Sequence, residues 1–138
     1  ELPTIDLSST PIFEERRRPW PISMPPDPAA VAAARALAPV AARTQQVTLS
    51  SIVMLDRQGL IAGESRVAGQ GRSLAMLPEV RAALSGTPRT VLRRNAAYRA
   101  GFDLEWLSRA AGLRVHHARP IVVEGRVVGV LLLARPAR

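Results

Sequence analysis

Short apolar runs bounded by turn residues mark the strands of this chain. "SIVMLDRQGLIAGES" predicts a strand over 51–56, a polar turn from Asp56 to Gly59 and a second strand over about 60–64. "RTVLRRN" predicts a third strand over 89–95. The most apolar stretch, "LRVHHARPIVVEGRVVGVLLLARP", predicts two long strands over 113–123 and 126–134 joined at Glu124 and Gly125 in a tight hairpin. Pro120 lacks an amide hydrogen and predicts a bulge that disturbs the alternation beyond it.

Helical signals lie between these runs. Asp27 is an N-cap candidate, Pro28 suits the first helical position, and the alanine-rich residues that follow predict a long helix over 27–46. Its apolar stripe is thin, which suits close packing better than a wide core face, and Pro39 predicts a kink or an interruption. In "LPEVRAALSG" Pro78 starts and Gly86 ends a helix of about two turns. Residues 96–112 form an insertion before the hairpin, with Asp103 capping a short helix through Ala111 and Gly112 stopping it.

The element order predicts an α+β fold: an antiparallel sheet of about five strands, with the long N-terminal helix packed on one face and the helices on one side. Residues 1–26 hold six of the 12 prolines and a triple arginine, so they support neither a helix nor a central strand. They read as an arm or membrane-proximal linker ahead of a single domain over 27–138. Trp20, between two prolines, suits either an anchor onto the domain or a ring at a membrane interface.

Composition narrows the function classes. A chain of 138 residues builds one core, and its 47% hydrophobic content is that of a globular domain. All 19 basic residues are arginine, against 11 acids, for a net charge of +8. An anion-binding surface would use guanidinium forks in this way; a GC-rich genome would also produce the bias. The arginines are scattered, whereas a nucleic-acid footprint clusters on one face. Absence of cysteine removes disulfides, thiolate chemistry and cysteine-based zinc sites. The longest apolar run, "VVGVLLLA", has the length of a strand and not the roughly 18 residues of a membrane helix.

No constellation in the sequence builds an enzyme site. "GESRV" lacks the second glycine of a nucleophile elbow, and "GQGRSL" lacks the third glycine of a dinucleotide fingerprint. If 113–123 is a regular strand, His116 and His117 point to opposite faces and cannot grip one metal together. What remains is a cationic and aromatic cluster: Arg93 and Arg94 at the end of one strand, Tyr98 and Trp106 in the insertion, and Arg114, His116, His117 and Arg119 on the next strand. Arg94, Tyr98, Trp106, Arg114, His116, His117 and Arg119 are taken as candidate ligand-binding residues, because convergent donors beside an aromatic wall suit a small carboxylate or other anion. The alternative makes the arginines surface residues, the Trp and Tyr packing for the insertion, and one histidine a satisfied core group. A histidine beside arginine also raises a pH response, since its protonation falls near pH 6.5 in the absence of perturbation.

The long helix, "IVMLDRQGLIAGES", "LPEVRAALSG" and the terminal hairpin "HHARPIVVEGRVVGVLLLA" together resemble the extracytoplasmic PAS-like sensor domains of bacterial membrane receptors, the Cache or PDC class, over about residues 28–135. The run "RNAAYRAGFDLEWLSRAAGLRVHHARPI" resembles the sensor region of alphaproteobacterial sensor histidine kinases. The resemblance implies a periplasmic domain of an inner-membrane protein, with ligand bound between the sheet and its covering loops. It also implies a homodimer for the parent, with the Ala-rich helix as candidate contact. A cytoplasmic kinase module would use ATP and Mg and pass a phosphoryl group to a response regulator; no cofactor and no catalytic residue is expected in the 138 positions themselves. The same sensor type also serves chemoreceptors and cyclic-dinucleotide enzymes. A basic nucleic-acid-binding module and a small hydrolase or metal enzyme are the readings from other classes.

Overall fold

A computed structural model of the chain describes residues 11–17, 19–21, 24–48, 51–64, 72–94 and 112–136, with side chains left out for 44–48 and 64. The expected insertion helix over 103–111 lies outside these residues. In chain order the elements are β1 (Ile12–Phe13), α1 (Pro28–Thr48), β2 (Ser51–Asp56), β3 (Ile61–Glu64), α2 (Pro78–Leu84), β4 (Arg89–Arg94), β5 (Leu113–Val123) and β6 (Arg126–Pro136).

The strands form one mixed sheet of six in the order β1-β4-β5-β6-β2-β3. Five of them pair antiparallel, while β1 lies parallel to β4 with Phe13 opposite Arg93. The sixth strand comes from the proline-rich arm. Two residues suffice to add an edge there, and prolines flanking such a short stretch remove no ladder bond from the sheet interior. The hairpin turns at Glu124 and Gly125, both at positive φ (51° and 76°), the geometry whose twist matches a two-residue connection. The pairing irregularity falls between Ile121 and Val122, just beyond Pro120, which itself stays in register opposite Val130.

The sheet carries α2 on one face and α1 on the other, not both on one side. Val80 and Ala83 of α2 pack with Val53, Leu55, Ile61, Ala118, Val130 and Leu132, which form the main core with Leu74 and Leu77. Burial of each such aliphatic side chain contributes about 1.5–3 kcal/mol, so this face dominates the stability of the sheet. On the opposite face Gly63 pairs with Met54, and a Cβ at Gly63 would stand 2.6 Å from the Cβ of Ala34. The missing side chain lets α1 approach the sheet closely.

Helix α1 begins where its cap predicts. Asp27 Oδ1 accepts the Ala29 amide at 3.0 Å, and Val31 N donates to Asp27 O at 3.0 Å. The helix runs on past Pro39 for 21 residues in all. Ala30 is buried and Ala34 half-buried, while Leu37 and Val40 are 43% and 54% exposed. A buried carboxylate ties its start to the sheet, because Asp56 takes the Asp27 amide on Oδ2 (3.0 Å) and the Gln58 and Leu60 amides on Oδ1 (2.8 and 3.0 Å). The arm is tied down as well. Trp20 and Ser73 exchange backbone hydrogen bonds of 2.7 and 2.8 Å, although Trp20 as a residue is 66% exposed.

Candidate functional site

Strand alternation sends Arg89, Val91 and Arg93 of β4 to the α2 face. Arg93 meets Glu79 there, in the first turn of α2 just after Pro78, where a negative charge complements the helix dipole. The contact is a bidentate fork, Nε to Oε2 at 3.0 Å and Nη2 to Oε1 at 2.7 Å, with both residues buried. The third guanidinium nitrogen, Nη1, reaches out of the core and donates to Glu14 O of the arm at 3.0 Å.

Directly opposite Arg93 in the β4–β5 register stands Arg114, a like-charge pair of the kind that destabilises a bare sheet. Arg114 Nη2 donates to Ala134 O at 3.3 Å. Two residues further along β5 on the same face comes His116, flanked by Val91 and Ala134 in the register and only 5% exposed. Its Nδ1 is buried with no hydrogen-bond partner among the described residues. Burial chiefly, and then the charges of Arg16, Arg93 and Arg114, push its pKa down to about 3, so the ring is neutral at pH 7.

The arm completes this face. Phe13, opposite Arg93 on β1, has the guanidinium carbons of Arg93 and Arg89 at 5.5 and 5.8 Å from its ring centroid. Three residues on, half-buried Arg16 supplies the strongest of the charges that act on His116. The charges of three arginines thus act on a neutral imidazole, and Glu79 is engaged at both oxygens by one of them. A buried polar nitrogen that finds no partner costs about 1–3 kcal/mol, which a bound hydroxyl would relieve in either tautomer and an anionic oxygen in the tautomer with the proton on Nδ1.

The residues expected from the sequence divide between the two faces. Arg114 and His116 share the α2 face with Arg93, which takes the place expected of its neighbour Arg94. Arg94, His117 and Arg119 alternate to the other face. There His117 Nδ1 lies 2.7 Å from Thr90 Oγ1, and burial together with Arg119 lowers its pKa. Arg94 is an exposed partner of Glu14 at 3.6 Å, a pair of little energetic weight. Tyr98 and Trp106 lie outside the described residues. Arg16 is the member that sequence reasoning did not single out, because a triple arginine in a proline-rich arm reads as solvated charge.

No family model matches the sequence, and no curated protein matches it. Among solved structures it is similar to the sensor domain of the Vibrio cholerae histidine kinase DctB, with a TM-score of 0.54 over 75% of this chain. The chain shares the PAS-like fold of that sensor domain. At 14% identity the likeness is one of fold, and this chain spans 38% of the length of that one.

Proposed function

We propose that this chain is the signal-receiving domain of a membrane-anchored sensor histidine kinase, and that it receives a small anion on the α2 face of β4 and β5. The observation that carries the reading is His116: a buried neutral imidazole with an unpartnered Nδ1, set among Arg16, Arg93 and Arg114 on the fold of a kinase sensor domain. Guanidinium groups recognise a carboxylate or phosphate through paired donors, and a neutral imidazole in its Nδ1–H tautomer donates one directional contact without further charge.

On this reading the domain is periplasmic and its anchors belong to the parent protein; no helix among the described residues is long and apolar enough to cross a membrane. The output is the parent's kinase module, which would use ATP and Mg and hand a phosphoryl group to a response regulator. A ligand controls that output only through a difference in affinity between two arrangements of the domain. The parent would be a homodimer, with α1, which exposes Leu37 and Val40, as the candidate contact. A panel of small carboxylates and oxyanions at constant ionic strength tests the reading: one member raises the melting temperature of the wild type. If no member does so, the anion reading is wrong.

A further inference from the structure

Exposed apolar side chains gather at one end of the sheet. Asp56, the last residue of β2, pairs with Gly129, so the β2–β3 turn and the tip of the β5–β6 hairpin lie at the same end. The arm wraps that turn. Trp20 exchanges backbone hydrogen bonds with Ser73, Ser73 bridges to Leu60, and Met24, Pro25 and Pro26 line an open groove of about 380 Å³ with Arg57 and Gln58. Trp20 and Met24 are 66% and 50% exposed there, and Val122, Val123 and Val128 at the hairpin tip are exposed too. Prolines on both sides of Trp20 and its paired amide fix the backbone, so presenting this residue to a partner costs little further ordering. Apolar side chains grouped in this way and rimmed by charge mark an interaction surface.

The charge at this end selects the partner. Arg57, Arg72 and Arg126 are exposed there, with Glu124 as the exposed acid of the hairpin tip. Asp27 and Asp56 hold their carboxylates against backbone amides, so the charge presented outward is mainly arginine. A second copy docked on the same end would set these arginines against their own kind, in a chain whose net charge is already +8. An anionic bilayer has the complementary charge. Arginine stems lie along apolar surface while their heads meet phosphates, and an indole suits the boundary between water and acyl chains. We propose that this end of the domain is a membrane-docking surface, on which Trp20 and Met24 enter the headgroup layer of an anionic bilayer and Arg57 and Arg72 pair with its phosphates. The inference stands apart from the anion reading, which concerns the α2 face of β4 and β5.

Co-sedimentation of the full chain with vesicles tests it, using phosphatidylcholine alone and phosphatidylcholine with a third of phosphatidylglycerol. At low salt the chain binds the anionic vesicles and not the neutral ones, and added sodium chloride releases it. Arg57→Gln with Arg72→Gln weakens binding by about thirtyfold, from about 1 kcal/mol of surface attraction for each arginine. Arg43→Gln with Arg135→Gln removes the same charge from the later part of α1 and the far end of β6, and this variant binds nearly as the wild type does. Tryptophan emission shifts to the blue on binding. Trp20→Phe, which keeps the backbone pairing to Ser73 and leaves Trp106 as the remaining indole, shows no such shift. Equal weakening in the two double variants, or a blue shift that persists in Trp20→Phe, overturns the docking surface, since the binding is then the general attraction of a cationic chain. Absence of affinity for either vesicle overturns it as well and turns attention to an acidic protein partner.

Discussion

Acid should unfold this domain through His116. The ring is unprotonated in the folded chain down to about pH 3, whereas the unfolded chain takes up a proton near pH 6.5. Between those two values the unfolded state binds more protons, so stability falls as pH falls through that window and is constant in this respect above about pH 6.5. From about pH 7 to about pH 4.5 the loss assigned to this one group is about 2.5 kcal/mol, taking 1.36 kcal/mol for each unit of difference. Carboxylates contribute their own dependence, so the informative quantity is a difference between two proteins. Urea unfolding of the wild type and His116→Gln at both pH values isolates it. The wild type should lose about 2.5 kcal/mol more than the variant, and equal losses in the two proteins would refute the burial and charge argument.

Other perturbations address the packing around the site. Arg93→Met leaves the Glu79 carboxylate buried without its fork and should lower unfolding free energy by about 3–5 kcal/mol in urea, with Glu79→Gln in the same chain restoring part of the loss. Gly63→Val drives a side chain into Ala34 and should cost about 1–3 kcal/mol by displacing α1, with Ala34→Gly as the compensating change to be read by thermal melting. Asp56→Ala strands three amides and should cost about 3 kcal/mol, accompanied by faster hydrogen exchange at the start of α1.

Much of the architecture is legible in the sequence wherever one residue type has one geometric use. Asp56 and Gly59 announce the β2–β3 turn, Pro78 and Gly86 bracket α2, and Glu124 with Gly125 closes the hairpin. The strand β1 is not legible, since two residues carry no periodicity and its pairing depends on a distant edge. Nor does local pattern reveal which face each helix covers; that follows from Gly63 admitting Ala34 on one side and from Val80 and Ala83 sealing the core on the other.

The candidate site divides in the same way. Alternation along β5 separates His116 from His117 before any coordinates are known. Which of the two faces gathers the cations is decided by Glu79, which draws Arg93 rather than Arg94 toward α2, and by the arm, which brings Arg16 from the far end of the chain. Both are long-range events that no spacing encodes.

The central claim is that the anion binds on the α2 face, and the two faces of β5 allow it to be tested directly. The measurement is the melting temperature of the wild type, Arg114→Ala and Arg119→Ala, each with and without the anion to which the wild type responds. At about 100 times Kd a bound anion stabilises the fold by about 2.7 kcal/mol, a rise of several degrees for a domain of this size. The account predicts that Arg119→Ala rises with the wild type and Arg114→Ala does not. Loss of the response in Arg119→Ala with its retention in Arg114→Ala would place the ligand on the opposite face and contradict the account.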